Sequence, residues 1–249
     1  MDYLEGGEPF TFEQPDAQAA VVCVHGFNAT SYEVRPIGEA LFKAGFHVEG
    51  PLVAGHGIAP REVGIVQFHH STWEQWVESI RVVVKRLKES FPRVFVMGQS
   101  MGGAIAFYLA TEGLPDAIAT TGAALHLPRP AEWFYFLTRR MNTILNHNDT
   151  SLFHNVSYGV ISSKAGAQIY LLAKETRARL NLIRCPVLAI YSQIDGTVQP
   201  RKIVKLIQEQ MTAPLEIAWF NKSSHTMPLD VEGPAIAQKI VEFFTQQLE

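Results

Sequence analysis

The stretch Gly98-Gln99-Ser100-Met101-Gly102 sets a serine midway between two glycines. Before it, Val94 to Met97 is an apolar run that reads as a strand buried on both faces, and after it Ala104 to Ala110 is an Ala-rich helix former. A serine on so tight a strand-to-helix turn is forced into a strained backbone conformation, and flanking glycines remove the side chains that would collide around it. Its hydroxyl then stands clear of the sheet at a helix N-terminus, where the dipole favours developing negative charge. The chemistry this suits is nucleophilic attack by a hydroxyl on an electrophilic carbon.

A serine hydroxyl is a poor nucleophile until a base removes its proton, and near neutral pH that base is usually an imidazole. Of nine histidines, His225 is the one in a loop, Asn221 to Met227, just past the strand read at Leu215 to Phe220. Asp195 is the only acidic residue between Tyr191 and a helix starting near Pro200, and it supplies the carboxylate that orients the ring. Asp230 is the second candidate for the acid, set too near the start of the last helix to be preferred. His25-Gly26-Phe27 ends the first buried strand, so the backbone N–H of Phe27, with that of Met101 after the serine, is the expected pair of oxyanion donors. His25 itself reads as structural, its ring bonding nearby backbone, and Gly55-His56-Gly57 as a loop-shaping element. His69 and His70 adjoin without a third ligand at suitable spacing, so no metal site is expected.

These groups need a frame. Ala19 to Val24 is a β-branched run that reads as an interior parallel strand. Thr30 or Ser31 caps a helix to about Lys43, Phe46 to Val48 starts a strand, and Thr72 opens a helix with Trp76, Ile80, Val83, Val84 and Leu87 at helical spacing. Asp116 to Ala124 reads as a strand, Pro186 to Tyr191 as another, Pro200 to Met211 as a helix, Leu215 to Phe220 as a strand and Val231 to Leu248 as a closing helix. Strand–helix alternation of this kind implies an α/β fold with an open, mostly parallel sheet covered on both faces. Between about His126 and Asn181 no strand can be placed, and the segment is too long for a connecting loop. The expected organisation is a core of residues 1–125 and 182–249 with a cap inserted at 126–181. Trp133, Phe134, Phe136 and Leu137 crowd one part of that insertion and are the expected wall of an apolar substrate pocket.

With 249 residues, 47% of them hydrophobic, the chain can bury a substantial core. A net charge of -3 offers nothing to nucleic acid or to an anionic membrane surface. No apolar stretch approaches bilayer length, and the acidic start Met1-Asp2-Tyr3-Leu4-Glu5 lacks the pattern of a signal peptide. Cys23 and Cys185 fall in or beside apolar runs and read as buried free thiols, which fits a reducing, cytoplasmic compartment.

On these residues the chain resembles the α/β-hydrolase superfamily over nearly its whole length. More narrowly, His25-Gly26-Phe27, Gly55-His56-Gly57, Gly98 to Gly103, Asp195 and Ser224-His225-Thr226 are similar to the small bacterial carboxylesterases and monoacylglycerol lipases. The resemblance implies hydrolysis of carboxylic esters through an acyl-enzyme, with no cofactor, a small-molecule ester carrying an apolar acyl chain as substrate, and a short helical cap after the strand that follows the serine's helix. It also implies Phe27 and Met101 as oxyanion donors. Acyl-chain length and oligomeric state do not follow from it. The rival readings are an acyl thioesterase, for which Arg139-Arg140 is a faint basic hint, a hydrolase of carbon–carbon bonds, and a non-catalytic ligand receptor on the same fold.

Overall fold

A computed structural model describes residues 2–128, 133, 137, 141–146 and 154–249. Its centre is a seven-stranded sheet in the order β11-β10-β7-β6-β3-β4-β2. The strands are β2 (Phe10–Phe12), β3 (Ala19–Val24), β4 (His47–Gly50), β6 (Arg93–Gln99), β7 (Ala117–Thr121), β10 (Val187–Ser192) and β11 (Leu215–Phe220). All neighbours pair parallel except β2 with β4 at one edge. Two short antiparallel ribbons lie outside it, β1 (Asp2–Tyr3) with β5 (Ile58–Ala59) and β8 (Ile144–Asn146) with β9 (Val160–Ser162).

The apolar runs explain why the central strands are interior. Successive side chains of a strand point to opposite faces, so a strand covered on both sides must be apolar at every position. In β3, Ala20, Val22 and Val24 join one core while Ala19, Val21 and Cys23 join the other. In β6, Val94 and Val96 divide from Phe95 and Met97 in the same way. One face is covered by α1 (Arg35–Lys43) and the closing helix α7 (Gly233–Gln246), with Phe95 stacked on Phe244 at a ring separation of 4.9 Å. The other is covered by α3 (Trp73–Lys88), α4 (Met101–Thr111), α5 (Ser163–Arg177) and α6 (Pro200–Gln210). Thr72 and Gln75 form a reciprocal cap that starts α3. Because β3, β4, β6, β7, β10 and β11 run the same way, the loops after β3, β6, β7, β10 and β11 all emerge at one edge. That edge collects ligands in folds of this kind.

Three segments depart from the sequence reading. Residues Arg61–His70 form a helix, α2, where the sequence reading places no element. Its pattern is blurred because Val63 and Val66 face solvent while Gly64 is buried, where a Cβ would lie 2.4 Å from the Tyr158 hydroxyl. The strand expected over 116–124 is Ala117–Thr121 and stops at Gly122, whose φ of +55° bends the chain away. The stretch 126–181, read as free of strands, contains β8 and β9 and the 15-residue α5. Helix α5 is not detached from the body: Ala165, Ile169 and Leu172 belong to the same apolar cluster as α3 and α4. His69 ties this region down from α2, with ring nitrogens 2.9 Å from Ser162 Oγ and 2.7 Å from Asn142 Oδ1.

Two other buried imidazoles shape the loops at the sheet edge. The His25 ring accepts from the Val53 N–H at 3.0 Å, so its other nitrogen carries the proton and donates to the Gly26 carbonyl at 2.8 Å. His56 lies buried, 1% exposed, against the rings of His25, Phe27, Phe68 and Trp76, and its Nδ1 is 3.1 Å from the Ala54 carbonyl. Both are the structural elements the sequence suggests.

Burial disfavours the charged form of each ring, pushing His25 down to about 4 and His56, with His25 beside it, down to about 3. The unfolded chain binds protons below about pH 6.5 that the folded chain refuses, so folding stability falls as pH drops through that value. We predict that the melting temperature declines between about pH 6.5 and about pH 5, and that His56→Gln flattens the slope by close to one proton. A melting temperature level across that window would contradict the buried neutral rings.

Candidate active site

The serine sits where three backbones crowd together. A Cβ at Gly98 would lie 2.2 Å from the Gly102 carbonyl oxygen, and one at Gly102 would lie 2.1 Å from the Val24 carbonyl oxygen. Only glycine fits at either position, and the turn closes with Ser100 at φ 52°, ψ -110°. For a residue with a side chain this costs on the order of 1–3 kcal/mol, and the surroundings hold it. The Ser100 N–H donates to the Thr121 carbonyl at 2.9 Å, while its own carbonyl accepts from the Ala104 and Ala124 N–H groups at 3.0 Å each. The serine is 8% exposed, so its hydroxyl is reached from one side only.

The structure brings the other two predicted side chains to it. His225, in the loop after β11, has Nε2 2.8 Å from Ser100 Oγ and Nδ1 2.7 Å from Asp195 Oδ2. A carboxylate can only accept, so Nδ1 carries the proton and Nε2 presents its lone pair to the serine hydroxyl. The Asp195 side chain is wholly buried in the loop after β10. Burial alone would raise its pKa, but the hydrogen bond and charge of His225 and the N–H groups of Thr197 (2.8 Å) and Val198 (3.2 Å) outweigh that and hold it below the usual carboxylate range. It stays ionised and fixes the ring's tautomer.

Asp230, the second candidate for the acid, takes a different place. It accepts from Ser224 N–H at 2.6 Å, Ser224 hydroxyl at 2.8 Å and Val231 N–H at 2.6 Å, and so braces the loop that carries His225. Glu232 does the same for the Lys222 and Ser223 N–H groups at 2.9 and 2.7 Å. Gln99, wholly buried, donates from Nε2 to the His225 carbonyl at 2.7 Å.

A cavity of about 230 Å³ opens on Ser100 and His225. Phe27 forms part of its wall, and Gly26 comes so close to the serine that a Cβ there would touch Ser100 Cβ at 3.4 Å. Met101 is the first residue of α4, and its N–H is among the four at a helix start that have no acceptor within the helix. Most of the other lining residues have polar side chains, Asn28, Glu33, Asn155 and Ser157 among them. Sequence reasoning missed these four. Glu33 was hidden because it lies in a short 3-10 turn, Ser31–Val34, yet the residue is 4% exposed and its carboxylate accepts from the Gly26 N–H at 2.6 Å. The carbonyl oxygens of the Asn28 and Asn155 side chains are buried without a hydrogen-bond partner among the described residues. The Asn28 amide also reaches across to the Val160 carbonyl of β9 at 2.9 Å.

Two of the four cap residues expected to wall an apolar pocket fall among the described residues. Trp133 and Leu137 are helical, 64% and 66% exposed, and absent from the cavity lining. Phe134 and Phe136 lie outside the described residues.

Comparison with known proteins bears on the family. Residues 15–157 match the Hydrolase_4 family, described as serine aminopeptidase, S33. Over 98% of its length the chain is 32% identical to the thermostable monoacylglycerol lipase of Bacillus sp. (strain H-257), covering 96% of that protein. It is 23% identical to the carboxylesterase of Bacillus subtilis (strain 168), over 95% of each chain. A metagenome-derived lipolytic enzyme of solved structure superposes with a TM-score of 0.88 at 24% identity, over 98% of this chain and 100% of that one. The monoacylglycerol lipase of Paleococcus ferrophilus does so at 0.80 and 20%, over 99% and 100%. With a mostly parallel sheet flanked by helices, a serine on the turn after its central strand and these relatives along its whole length, the chain belongs to the Hydrolase_4 family and is an α/β-hydrolase.

Proposed function

We propose that the protein hydrolyses carboxylic esters by way of an acyl-enzyme on Ser100. The observation that carries this reading is the unbroken hydrogen-bond chain from Ser100 through His225 to Asp195, with contacts of 2.8 and 2.7 Å. Two relatives matched along their whole length, a monoacylglycerol lipase and a carboxylesterase, support ester over amide as the bond cleaved.

In the proposed reaction His225 Nε2 takes the hydroxyl proton as Ser100 Oγ attacks the ester carbonyl. Asp195 stabilises the imidazolium that results. The oxyanion is received by the N–H groups of Phe27 and Met101, at the positive end of α4. His225 then protonates the departing alcohol, and the same imidazole activates a water that releases the acid. No step requires a metal or a cofactor. The substrate is a small ester with an apolar acyl chain, and the cap region is the proposed site of acyl contact on its sequence composition. A cytoplasmic location is proposed on the two unpaired cysteines, Cys23 and Cys185. Among the described residues no helix is long and apolar enough to cross a membrane.

Chromogenic esters test the reading. Ser100→Ala should lower kcat by about 10⁶ with the melting temperature nearly unchanged, and retention of more than a few per cent of activity would remove Ser100 as nucleophile. Asp195→Asn should keep the fold and lower kcat by about 10⁴, because an amide favours the wrong imidazole tautomer. Asp230→Asn should cost far less, since Asp230 braces the loop and does not touch the ring.

A panel of acyl chains separates the cap residues. Trp133→Ala and Leu137→Ala, both at exposed positions, should change kcat/KM by less than about threefold for acetate and for longer esters alike. Phe134→Ala or Phe136→Ala should lower kcat/KM for a longer-chain ester by roughly ten- to a hundredfold while sparing acetate. Uniform losses at every chain length would return the acyl site to the body of the sheet.

A further inference from the structure

The residue before the serine is a glutamine, at the end of a strand that is otherwise apolar or glycine from Val94 onward. Gln99 is 0% exposed, and a buried primary amide needs partners for both of its ends. It has them. Its Nε2 donates to the His225 carbonyl at 2.7 Å, and its Oε1 accepts from the Thr121 hydroxyl at 2.5 Å. A carbonyl can only accept, so the NH₂ end must face His225, and Thr121 must then be the donor to the other end. The amide therefore has one orientation.

Its two contacts join parts of the site that are remote in sequence. Thr121 is the register partner of Gln99 across β6 and β7, and the Thr121 carbonyl accepts the Ser100 N–H at 2.9 Å. His225 lies 126 residues further along the chain from Gln99. The other braces on the His225 loop grip its neighbours: Ser192 Oγ donates to the Ser223 carbonyl at 2.5 Å, Glu232 holds Lys222 and Ser223, and Asp230 holds Ser224. Gln99 holds the His225 peptide itself. The imidazole meanwhile packs over Gly122, where a Cβ would stand 3.3 Å from its Nδ1 and Cε1.

From this geometry we infer that Gln99 is a positioning residue that sets the distance between His225 and Ser100 by fastening the peptide of one to the strand end that carries the other. The inference rests on the reading of Ser100 and His225 as nucleophile and base. Gln99 touches neither substrate nor reacting atoms. Without its amide the His225 carbonyl loses its partner and the loop is free to shift, lengthening the 2.8 Å contact between Nε2 and Oγ. Misplacement of a reacting group by about 1 Å can cost on the order of 10²-fold in rate. The binding surfaces for substrate are untouched, so the loss falls on kcat and not on KM.

The test combines Gln99→Leu, Thr121→Val, Thr121→Ser and the Gln99→Leu/Thr121→Val double variant. For each, kcat and KM are measured on a short chromogenic ester, together with the rate of covalent labelling by a small fluorophosphonate, which reports serine activation with little dependence on substrate binding. The expected result for Gln99→Leu is a loss of about ten- to a hundredfold in both kcat and labelling rate, with KM within about threefold. Thr121→Val should lose less in the same direction, Thr121→Ser should restore it, and the double variant should be no worse than Gln99→Leu alone, because both residues act through one amide. A Gln99→Leu enzyme within threefold of the parent in kcat, or losses that simply add in the double variant, would overturn the inference. If Gln99→Leu does not fold, the Val and Ser variants at 121 decide it, and a parental kcat for Thr121→Val would be the contrary result. Ser100→Ala run alongside keeps the two claims apart: an active and labelled Ser100→Ala enzyme defeats the reading of the site, whereas a dead one beside an unimpaired Gln99→Leu defeats only the role of Gln99.

Discussion

Everything at the site depends on how closely three pieces of backbone approach one another at the end of β6. Where Gly98 and Gly102 stand, a single added methyl group would lie within 2.2 Å of a carbonyl oxygen. That approach lets α4 start directly off the strand, and it presses Ser100 into its positive-φ conformation. A hydrogen bond from the Ser100 N–H to the Thr121 carbonyl, and those from Ala104 and Ala124 to the Ser100 carbonyl, hold it there. The strain is local, and the α4 helix that sustains it is buried from Met101 through Ala110. A helix apolar on every side can only sit inside a core, which here lies between the sheet and α3 and α5.

The parallel sheet does the rest of the assembly. Ser100, Asp195 and His225 are far apart in sequence but each follows a strand that runs the same way, so all three come out at one edge. The remaining task is precision of a few tenths of an ångström, and a set of buried or half-buried polar groups carries it. Glu33 holds the Gly26 N–H, His25 holds the Gly26 carbonyl, Glu232 and Asp230 hold the loop around His225, and Gln99 holds His225. The carboxylates Asp195, Asp230 and Glu232 are each kept below their ordinary range because, although burial opposes it, hydrogen bonds from the surrounding N–H and side-chain groups prevail. Acidification through their folded pKa values removes stability that is fully present above their unfolded ones. The site and the fold therefore weaken together at low pH.

Much of this was legible in the chain because the relevant signals are short and steric. Val94 to Met97 followed by Gly98-x-Ser100-x-Gly102 states a strand, a turn and a helix start in nine residues, and β3 and β10 announce themselves by apolar runs. Asp195 could be picked out because it stands alone after its strand, and His225 because it follows the next one. The polar lining of the cavity was not legible, since Asn28, Glu33 and Asn155 acquire meaning only when loops from three parts of the chain meet. Helix α2 was missed because exposed valines and a buried glycine invert the pattern that marks an amphipathic helix. In the cap, composition suggested an apolar pocket wall but could not say which side chains face the pocket: Trp133 and Leu137 are exposed, Phe134 and Phe136 lie outside the described residues, and most side chains lining the cavity beside the serine are of polar residues.

The central claim is that Ser100 is the atom to which the acyl group is transferred. Its most direct test is to label the protein with a fluorophosphonate, digest it and locate the adduct by mass spectrometry. The account predicts one adduct per chain, on the peptide containing Ser100, and none once His225 is replaced by Ala on the time scale that labels the parent completely. An adduct on another serine, or undiminished labelling without His225, would contradict it.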